Sequence, residues 1–187
     1  MEAFLTSVLA VTLAEIGDKT QLLSLVLITR FRQPGPIIAG IFFATIANHA
    51  LAGLLGAQIG AWLGPALLRW IVGIAFLAMA AWTLIPDTLD EEAQAHRRGA
   101  FLTALVAFFL AEMGDKTQLA TVGLAAAHPG HTPSVILGTT VGMMLANVPV
   151  VLLGEKLAEK VKMSRVRFVA AALFAIFGGV VLWRGVG

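Results

Sequence analysis

Six long apolar stretches constrain the fold of this chain more than any other feature of its sequence. They cover approximately residues 3–29, 36–59, 66–86, 99–127, 134–154 and 167–184. Most of them reach the ~20 residues that an α-helix needs to cross a bilayer, and the last is short but within range. Only 13% of the residues are charged, which is about half the share found in soluble domains. The sequence therefore predicts an all-α polytopic membrane protein with six transmembrane helices, rather than a soluble domain with an apolar core.

Charged residues interrupt two of these apolar stretches in the same way. The segment AEIGDKTQ occupies residues 14–21, and AEMGDKTQ occupies residues 111–118. A charge near the middle of a bilayer costs at least ~2.5–3.5 kcal/mol on insertion scales, so an ionisable residue at that depth is a functional candidate by default. Two nearly identical copies indicate a role for the motif.

The motif belongs to an internal repeat that includes most of the chain. Glu15 matches Glu112 at an offset of 97, Asn48 matches Asn147 at 99, and Phe76 matches Phe174 at 98. We expect a first three-helix repeat at residues 1–85, a linker at 86–98 and a second three-helix repeat at 99–187, together forming one transmembrane domain. Because three is an odd number, the second repeat would enter the membrane from the opposite side, which is the inverted-repeat arrangement of secondary transporters.

Basic residues predict the orientation. With six spanning helices, nine of them lie in the connections on one side: Arg30, Arg32, Arg97, Arg98, Lys156, Lys160, Lys162, Arg165 and Arg167. The opposite side has only Arg69 and Arg184. By the positive-inside rule the nine-residue side is cytoplasmic, so we expect the linker 86–98 in the cytoplasm and both termini outside. Residues 154–167 are expected to form either a short amphipathic helix at the membrane surface or a soluble loop.

Glycines spaced four residues apart are typical of close helix packing in membranes. They occur at Gly56, Gly60 and Gly64, and again at Gly138 and Gly142. We interpret all five as packing positions.

The motifs predict a site for a cation. On a continuous helix, residues three apart share a face, so Glu15 and Asp18 would project together, and the inverted repeat would bring the corresponding pair to the same central place. Lys19 and Lys116 could each simply pair with the neighbouring carboxylate. However, four carboxylates and two ammonium groups leave two negative charges when all are ionised, so the site would need a divalent cation or protons.

The remaining polar residues of the motifs supply further oxygen donors. The chain has no cysteine, so thiolate metal sites are excluded, and oxygen ligands favour Ca²⁺, Mn²⁺ or Mg²⁺. We expect the metal ligands to be Glu15, Asp18, Gln21, Glu112, Asp115 and Gln118. The expected supporting residues are Lys19, Thr20, Asn48, Lys116, Thr117 and Asn147.

Amides and histidines lie outside the motifs. Asn48 and Asn147 could complete the ion site or bond to a neighbouring helix. His49 has no counterpart in the second repeat, so we expect a histidine whose hydrogen bonds are satisfied rather than a ligand. His128 and His131 are expected to be solvated loop residues.

The doubled E-x-G-D-K-T motif, at Glu15–Thr20 and Glu112–Thr117, resembles the family once filed as uncharacterised protein family 0016. That family includes Golgi calcium and manganese transporters of eukaryotes and manganese exporters of bacteria, and the resemblance covers nearly the whole chain. It implies that Glu15, Asp18, Glu112 and Asp115 form the cation site and that the protein exchanges Mn²⁺ or Ca²⁺ for protons. The short N-terminus and compact linker favour a bacterial protein of the inner membrane.

Three other functions fit parts of this sequence pattern. A cation channel also uses rings of carboxylates, but an inverted repeat favours a carrier. An intramembrane aspartyl protease would have glycine in place of Glu15 and Glu112, and a scaffolding subunit would not need two carboxylate pairs at matched depth. We expect a transporter rather than an enzyme, acting on a divalent cation and protons within a lipid bilayer, with neither a resident cofactor nor a nucleic-acid partner.

Overall fold

The computed structural model describes residues 1–85, 99–154 and 163–185. These ranges contain eight α-helices and no strand. The helices are α1 (Glu2–Glu15), α2 (Lys19–Phe31), α3 (Pro34–Trp62), α4 (Pro65–Thr83), α5 (Ala100–Glu112), α6 (Lys116–Ala127), α7 (Thr132–Leu153) and α8 (Met163–Arg184). The expected linker at 86–98 and most of the segment 154–167 lie outside the described residues.

Within the described residues, three helices are long and apolar enough to cross a membrane by length and composition: α3, α4 and α7. Shorter apolar helices are α5 (Ala100–Glu112) and the Phe168–Arg184 part of α8. The expectation of continuous helices over residues 3–29 and 99–127 is wrong, because each stretch forms two helices of 12 to 14 residues that meet at the charged motif. The all-α fold class is confirmed.

Proline marks the start of several helices. Pro34, Pro65 and Pro133 lie in the first turn of α3, α4 and α7. Proline fits there because the first turn has no intrahelical partner for its missing N–H. The apolar residues continue directly from these starts, so the bounds of the three long helices agree with the apolar stretches to within a few residues.

The helices of the two halves pack against each other rather than as separate bundles. Helix α1 lies against α7, and its counterpart α5 lies against α3. Helix α4 packs against α8, and α3 also contacts α6 and α7. Each short helix before a motif is therefore held by the long helix of the opposite half, which brings both motifs into the centre of the same bundle.

Small residues allow these close approaches. A Cβ added at Gly40 would lie 2.6 Å from the carbonyl oxygen of Phe101, and one added at Gly138 would lie 2.6 Å from that of Phe4. These two glycines are 98 residues apart and make the same contact in the two halves. The packing role is confirmed for Gly56, Gly60, Gly138 and Gly142, and it is wrong for Gly64, whose surroundings are open within 4 Å.

Candidate functional site

The chain backbone breaks at the same place in both motifs. Helix α1 ends at Glu15 and α2 begins at Lys19, and likewise α5 ends at Glu112 and α6 begins at Lys116. Between them Gly17 has φ +86° and Gly114 has φ +76°. Residues with a Cβ rarely adopt this left-handed conformation, so glycine is needed at both positions.

The aspartates follow these glycines as N-caps of the next helices. Asp18 has φ −84° and ψ 169°, and Asp115 has φ −83° and ψ 169°. Aspartate is among the preferred residues at an N-cap. The expectation that Glu15 and Asp18 share the face of one continuous helix is therefore wrong: the glutamate ends one helix and the aspartate starts another.

Two glutamines hold the broken segments in place. The side-chain oxygen of Gln21 accepts a hydrogen bond from the Gly17 N–H at 2.8 Å, and that of Gln118 accepts one from the Gly114 N–H at 2.6 Å. The amide of Gln21 donates to the carbonyl of Ala146 on α7 at 2.9 Å. The amide of Gln118 donates to Oδ1 of Asn48 on α3. Each glutamine thus satisfies a backbone group at the break and ties the break to the opposite half.

The lysines pair across the two motifs. Lys116 Nζ lies 2.6 Å from Asp18 Oδ1, and Lys19 Nζ lies 3.1 Å from Asp115 Oδ2. The alternative in which each lysine pairs with the neighbouring carboxylate of its own motif is wrong. The physical reason is the break, because each aspartate starts a helix that packs beside the motif of the other half.

The two glutamates are fully buried beside these ion pairs. Glu15 and Glu112 are each 0% exposed. Glu112, Asp18 and Asp115 all lie close enough to Glu15 for like-charge repulsion. Glu112 Oε2 accepts a hydrogen bond from the Thr117 hydroxyl at 2.5 Å. The structure therefore brings all four carboxylates to one buried region.

Glu15 differs from Glu112 in its hydrogen bonding. Neither oxygen of Glu15 accepts a hydrogen bond of normal geometry from the described residues, although the amide of Asn147 lies nearby. In the described part of the chain, no three acidic or histidine side chains are arranged so that they could hold a metal ion. In this arrangement the aspartates are paired with lysine ammonium groups. The carboxylates do not form a ready-made set of metal ligands.

Both asparagines bond to neighbouring helices, as one of the two interpretations expected. Asn48 donates from Nδ2 to the carbonyl of Phe109 on α5 at 3.2 Å. Asn147 accepts at Oδ1 a hydrogen bond from the Ser24 hydroxyl at 2.9 Å. Ser24 is fully buried and was missed by the sequence reasoning. Its spacing of one helical turn after Thr20 could have indicated that this small polar residue faces the site.

Two of the three histidines in the described residues differ from expectation. His49 is fully buried, and neither ring nitrogen has a hydrogen-bond partner among the described residues, so its expected satisfaction is wrong. His128 is half-buried rather than solvated, with Nδ1 2.9 Å from the Leu124 carbonyl oxygen and its ring stacked on Phe177. His131 is exposed, as expected.

Two broken helices that meet in the middle of an apolar bundle, with acidic residues at both breaks, are the arrangement of a secondary transporter for ions. Residues 3–91 and 100–187 match the family described as "Divalent cation/proton antiporter GDT1", and the chain belongs to that family. The family is one of transporters rather than enzymes.

Relatives cover nearly the whole chain. A Vibrio cholerae protein named "Putative manganese exporter" is 52% identical over 176 residues, covering 94% of this chain and 88% of the relative. An Arabidopsis thaliana protein named "GDT1-like protein 5" is 30% identical over 222 residues, covering 95% and 94%. A GDT1-like protein of Synechocystis is 26% identical over 207 residues, covering 98% of both chains. No solved structure matches the chain.

Proposed function

We propose that this protein exports a divalent cation from the cytoplasm in exchange for protons, with Mn²⁺ as the first expected substrate and Ca²⁺ as the second. The observation that carries the proposal is the meeting of the two motifs, in which each aspartate lies at ion-pair distance from the lysine of the other motif. The cation would bind to oxygens of Glu15, Asp18, Gln21, Glu112, Asp115 and Gln118, with Lys19, Thr20, Asn48, Lys116, Thr117 and Asn147 in support.

Helix ends of both signs lie at the site. The partially negative C-terminal ends of α1 and α5 lie at the two glutamates and favour a cation there, while the partially positive N-terminal ends of α2 and α6 lie at the two aspartates that cap them. The side-chain oxygens of Gln21 and Gln118 each accept one backbone hydrogen bond and keep a second lone pair. Oxygen donors of this kind suit Mn²⁺ and Ca²⁺, and the name of the Vibrio cholerae relative supports Mn²⁺ as the first test.

Protons provide the counter-transport in this proposal. A carboxylate that is buried near like charges binds a proton more readily, so protons can replace the metal when it leaves. Two protons for one divalent ion would keep the charge of the site constant. The experiment is Mn²⁺ and Ca²⁺ flux in proteoliposomes containing only this protein, under an imposed pH gradient and clamped membrane potential. Metal flux that ignores the pH gradient would rule out the exchange, and single-channel currents would support a channel instead.

The proposed architecture is six spanning segments in two inverted repeats, at residues 1–85 and 99–187, with the linker 86–98 in the cytoplasm and both termini outside an inner membrane. It is supported by the equivalent contacts of α1 with α7 and of α5 with α3.

Equivalent connections of the two halves offer a direct test of this topology. Gln33, between α2 and α3, and His131, between α6 and α7, are both exposed. Because the chain has no cysteine, Gln33→Cys and His131→Cys each introduce a single reactive thiol. An impermeant thiol reagent on intact cells should label His131→Cys and not Gln33→Cys. Equal labelling of both would contradict the inverted topology.

A further inference from the structure

Each of two ammonium groups lies on one oxygen of an aspartate that the proposed cation would bind. Lys116 Nζ is 2.6 Å from Asp18 Oδ1, and Lys19 Nζ is 3.1 Å from Asp115 Oδ2. Ca²⁺ binds carboxylate oxygens at about 2.3–2.6 Å, so a bound divalent ion would lie about as close to the aspartate oxygen as the Lys116 ammonium group does. A divalent ion and an ammonium group cannot share one aspartate oxygen without strong repulsion, so the metal and the lysine compete for it.

The two lysines are not equally buried. The side chain of Lys116 is 3% exposed and that of its partner Asp18 is 1% exposed. The side chain of Lys19 is 26% exposed, while that of Asp115 is 2% exposed. Removing one member of a buried ion pair leaves an uncompensated charge, whereas an exposed pair is screened by water. Lys116 is therefore the more important of the two counter-ions.

We propose that Lys116, and to a smaller extent Lys19, act as tethered cations that replace the divalent ion on the aspartates when it leaves the site. This proposal rests on the proposed function. Its consequence is that the unloaded carrier can change its direction of opening without exposing bare aspartates to the apolar bundle, while the exchanged protons would neutralise Glu15 and Glu112. Each lysine would be a positioning residue for the unloaded site and not a ligand of the metal.

Loss of the lysines should affect metal-for-metal exchange and net transport differently. In metal-for-metal exchange the carrier crosses the membrane loaded in both directions, so it never needs the lysines as substitutes. In net transport the carrier returns without metal, so it depends on them at every turnover. A lysine with a merely structural role would affect both kinds of transport equally.

The experiment compares these two fluxes in the same proteoliposomes with ⁵⁴Mn²⁺ as the probe. Exchange is measured with equal Mn²⁺ on both sides, and net flux with Mn²⁺ on one side and a pH gradient. Lys116→Met removes the charge with little change in volume, and Lys116→Arg is the matched control that keeps it. We expect Lys116→Met to reduce net flux at least about tenfold more than it reduces exchange, Lys19→Met to show the same pattern more weakly, and Lys116→Arg to restore net flux in part.

A second measurement checks the competition directly. Manganese binding to the detergent-solubilised protein, followed by electron paramagnetic resonance, should be tighter in Lys116→Met than in the unaltered protein because no ammonium group has to be displaced. Lys116→Gln is the second variant if Lys116→Met does not fold.

Each outcome decides between two possibilities. Equal loss of exchange and net flux, equal retention of both, or failure of both neutral variants to fold would overturn the role of Lys116. Absence of both fluxes in the unaltered protein would instead overturn the proposed function.

Discussion

The two copies of the motif have the same backbone and different surroundings. Both contain a left-handed glycine, an aspartate N-cap with nearly identical dihedral angles, and a glutamine that accepts from the glycine N–H. In the second copy Thr117 donates to Glu112, whereas the corresponding Thr20 is buried without a hydrogen-bond partner among the described residues. The neighbouring helices also differ, since α6 packs against α3 and α4 while α2 packs mainly against α7 and α5.

The motif sequence determines the local break, and the packing around it determines what each side chain contacts. Seven of the eight residues of the two copies are identical, so the motif alone cannot make one lysine buried and the other partly exposed.

Neutralising one motif carboxylate at a time tests whether both copies form a single site. Glu15→Gln and Glu112→Gln should each reduce metal flux at least about 100-fold, because even groups that only orient metal ligands affect affinity by 10–100-fold. Asp18→Asn and Asp115→Asn should give comparable losses. The measurement is Mn²⁺ flux in proteoliposomes, with size-exclusion elution as the control for folding. Full activity after neutralising either copy would contradict a shared site.

A smaller effect tests the difference in hydrogen bonding. Thr117→Val removes a hydrogen bond to a buried carboxylate, which is worth roughly 1.5–3 kcal/mol, whereas Thr20→Val removes only an unpartnered hydroxyl and should be neutral or stabilising. Thermal unfolding in detergent should therefore show a lower Tm for Thr117→Val and an unchanged or higher Tm for Thr20→Val. Equal shifts would mean that the two threonines have equivalent surroundings in solution.

The smallest effect tests the shared backbone. Gly17→Ala and Gly114→Ala force a Cβ into a left-handed conformation, which costs about 1–2 kcal/mol. At Gly114 no atom lies within 4 Å of the added Cβ, so its cost is backbone strain alone. The matched control is Gly179→Ala in α8, which also has open surroundings and no left-handed φ. We expect lower Tm values for both motif variants and an unchanged or higher Tm for the control; no decrease at either motif would contradict the need for glycine.

Much of the fold follows from the sequence because apolar stretches of sufficient length are helical in a membrane. The bounds of α3, α4 and α7 were predicted to within a few residues, starting near Pro34, Pro65 and Pro133. The break at the motif could have been predicted from Gly17 followed by Asp18, which is typical of a helix that stops and restarts. The length of the apolar stretch favoured a continuous helix instead. The sequence predicted that the four carboxylates lie close together. It also predicted continuous helices through the motifs, whereas the structure has a break at each motif.

The crossed ion pairs could not be predicted from the sequence. Spacing places Lys19 beside Asp18 and gives no reason to prefer Asp115, because the choice depends on how α2 and α6 approach each other. The burial of His49 without a partner and the bond from Ser24 to Asn147 depend on the same packing.

The crossed pairing has a consequence for the order of biosynthesis. Lys116 follows Asp18 by 98 residues, and at ~5–20 residues per second a ribosome needs roughly 5–20 s to make that segment. During this interval the first half is in the membrane without the ammonium group that neutralises Asp18 in the finished bundle. Because α1 packs against α7 and α4 packs against α8, the first half cannot complete its packing before these helices emerge, and closure of the bundle is a late step.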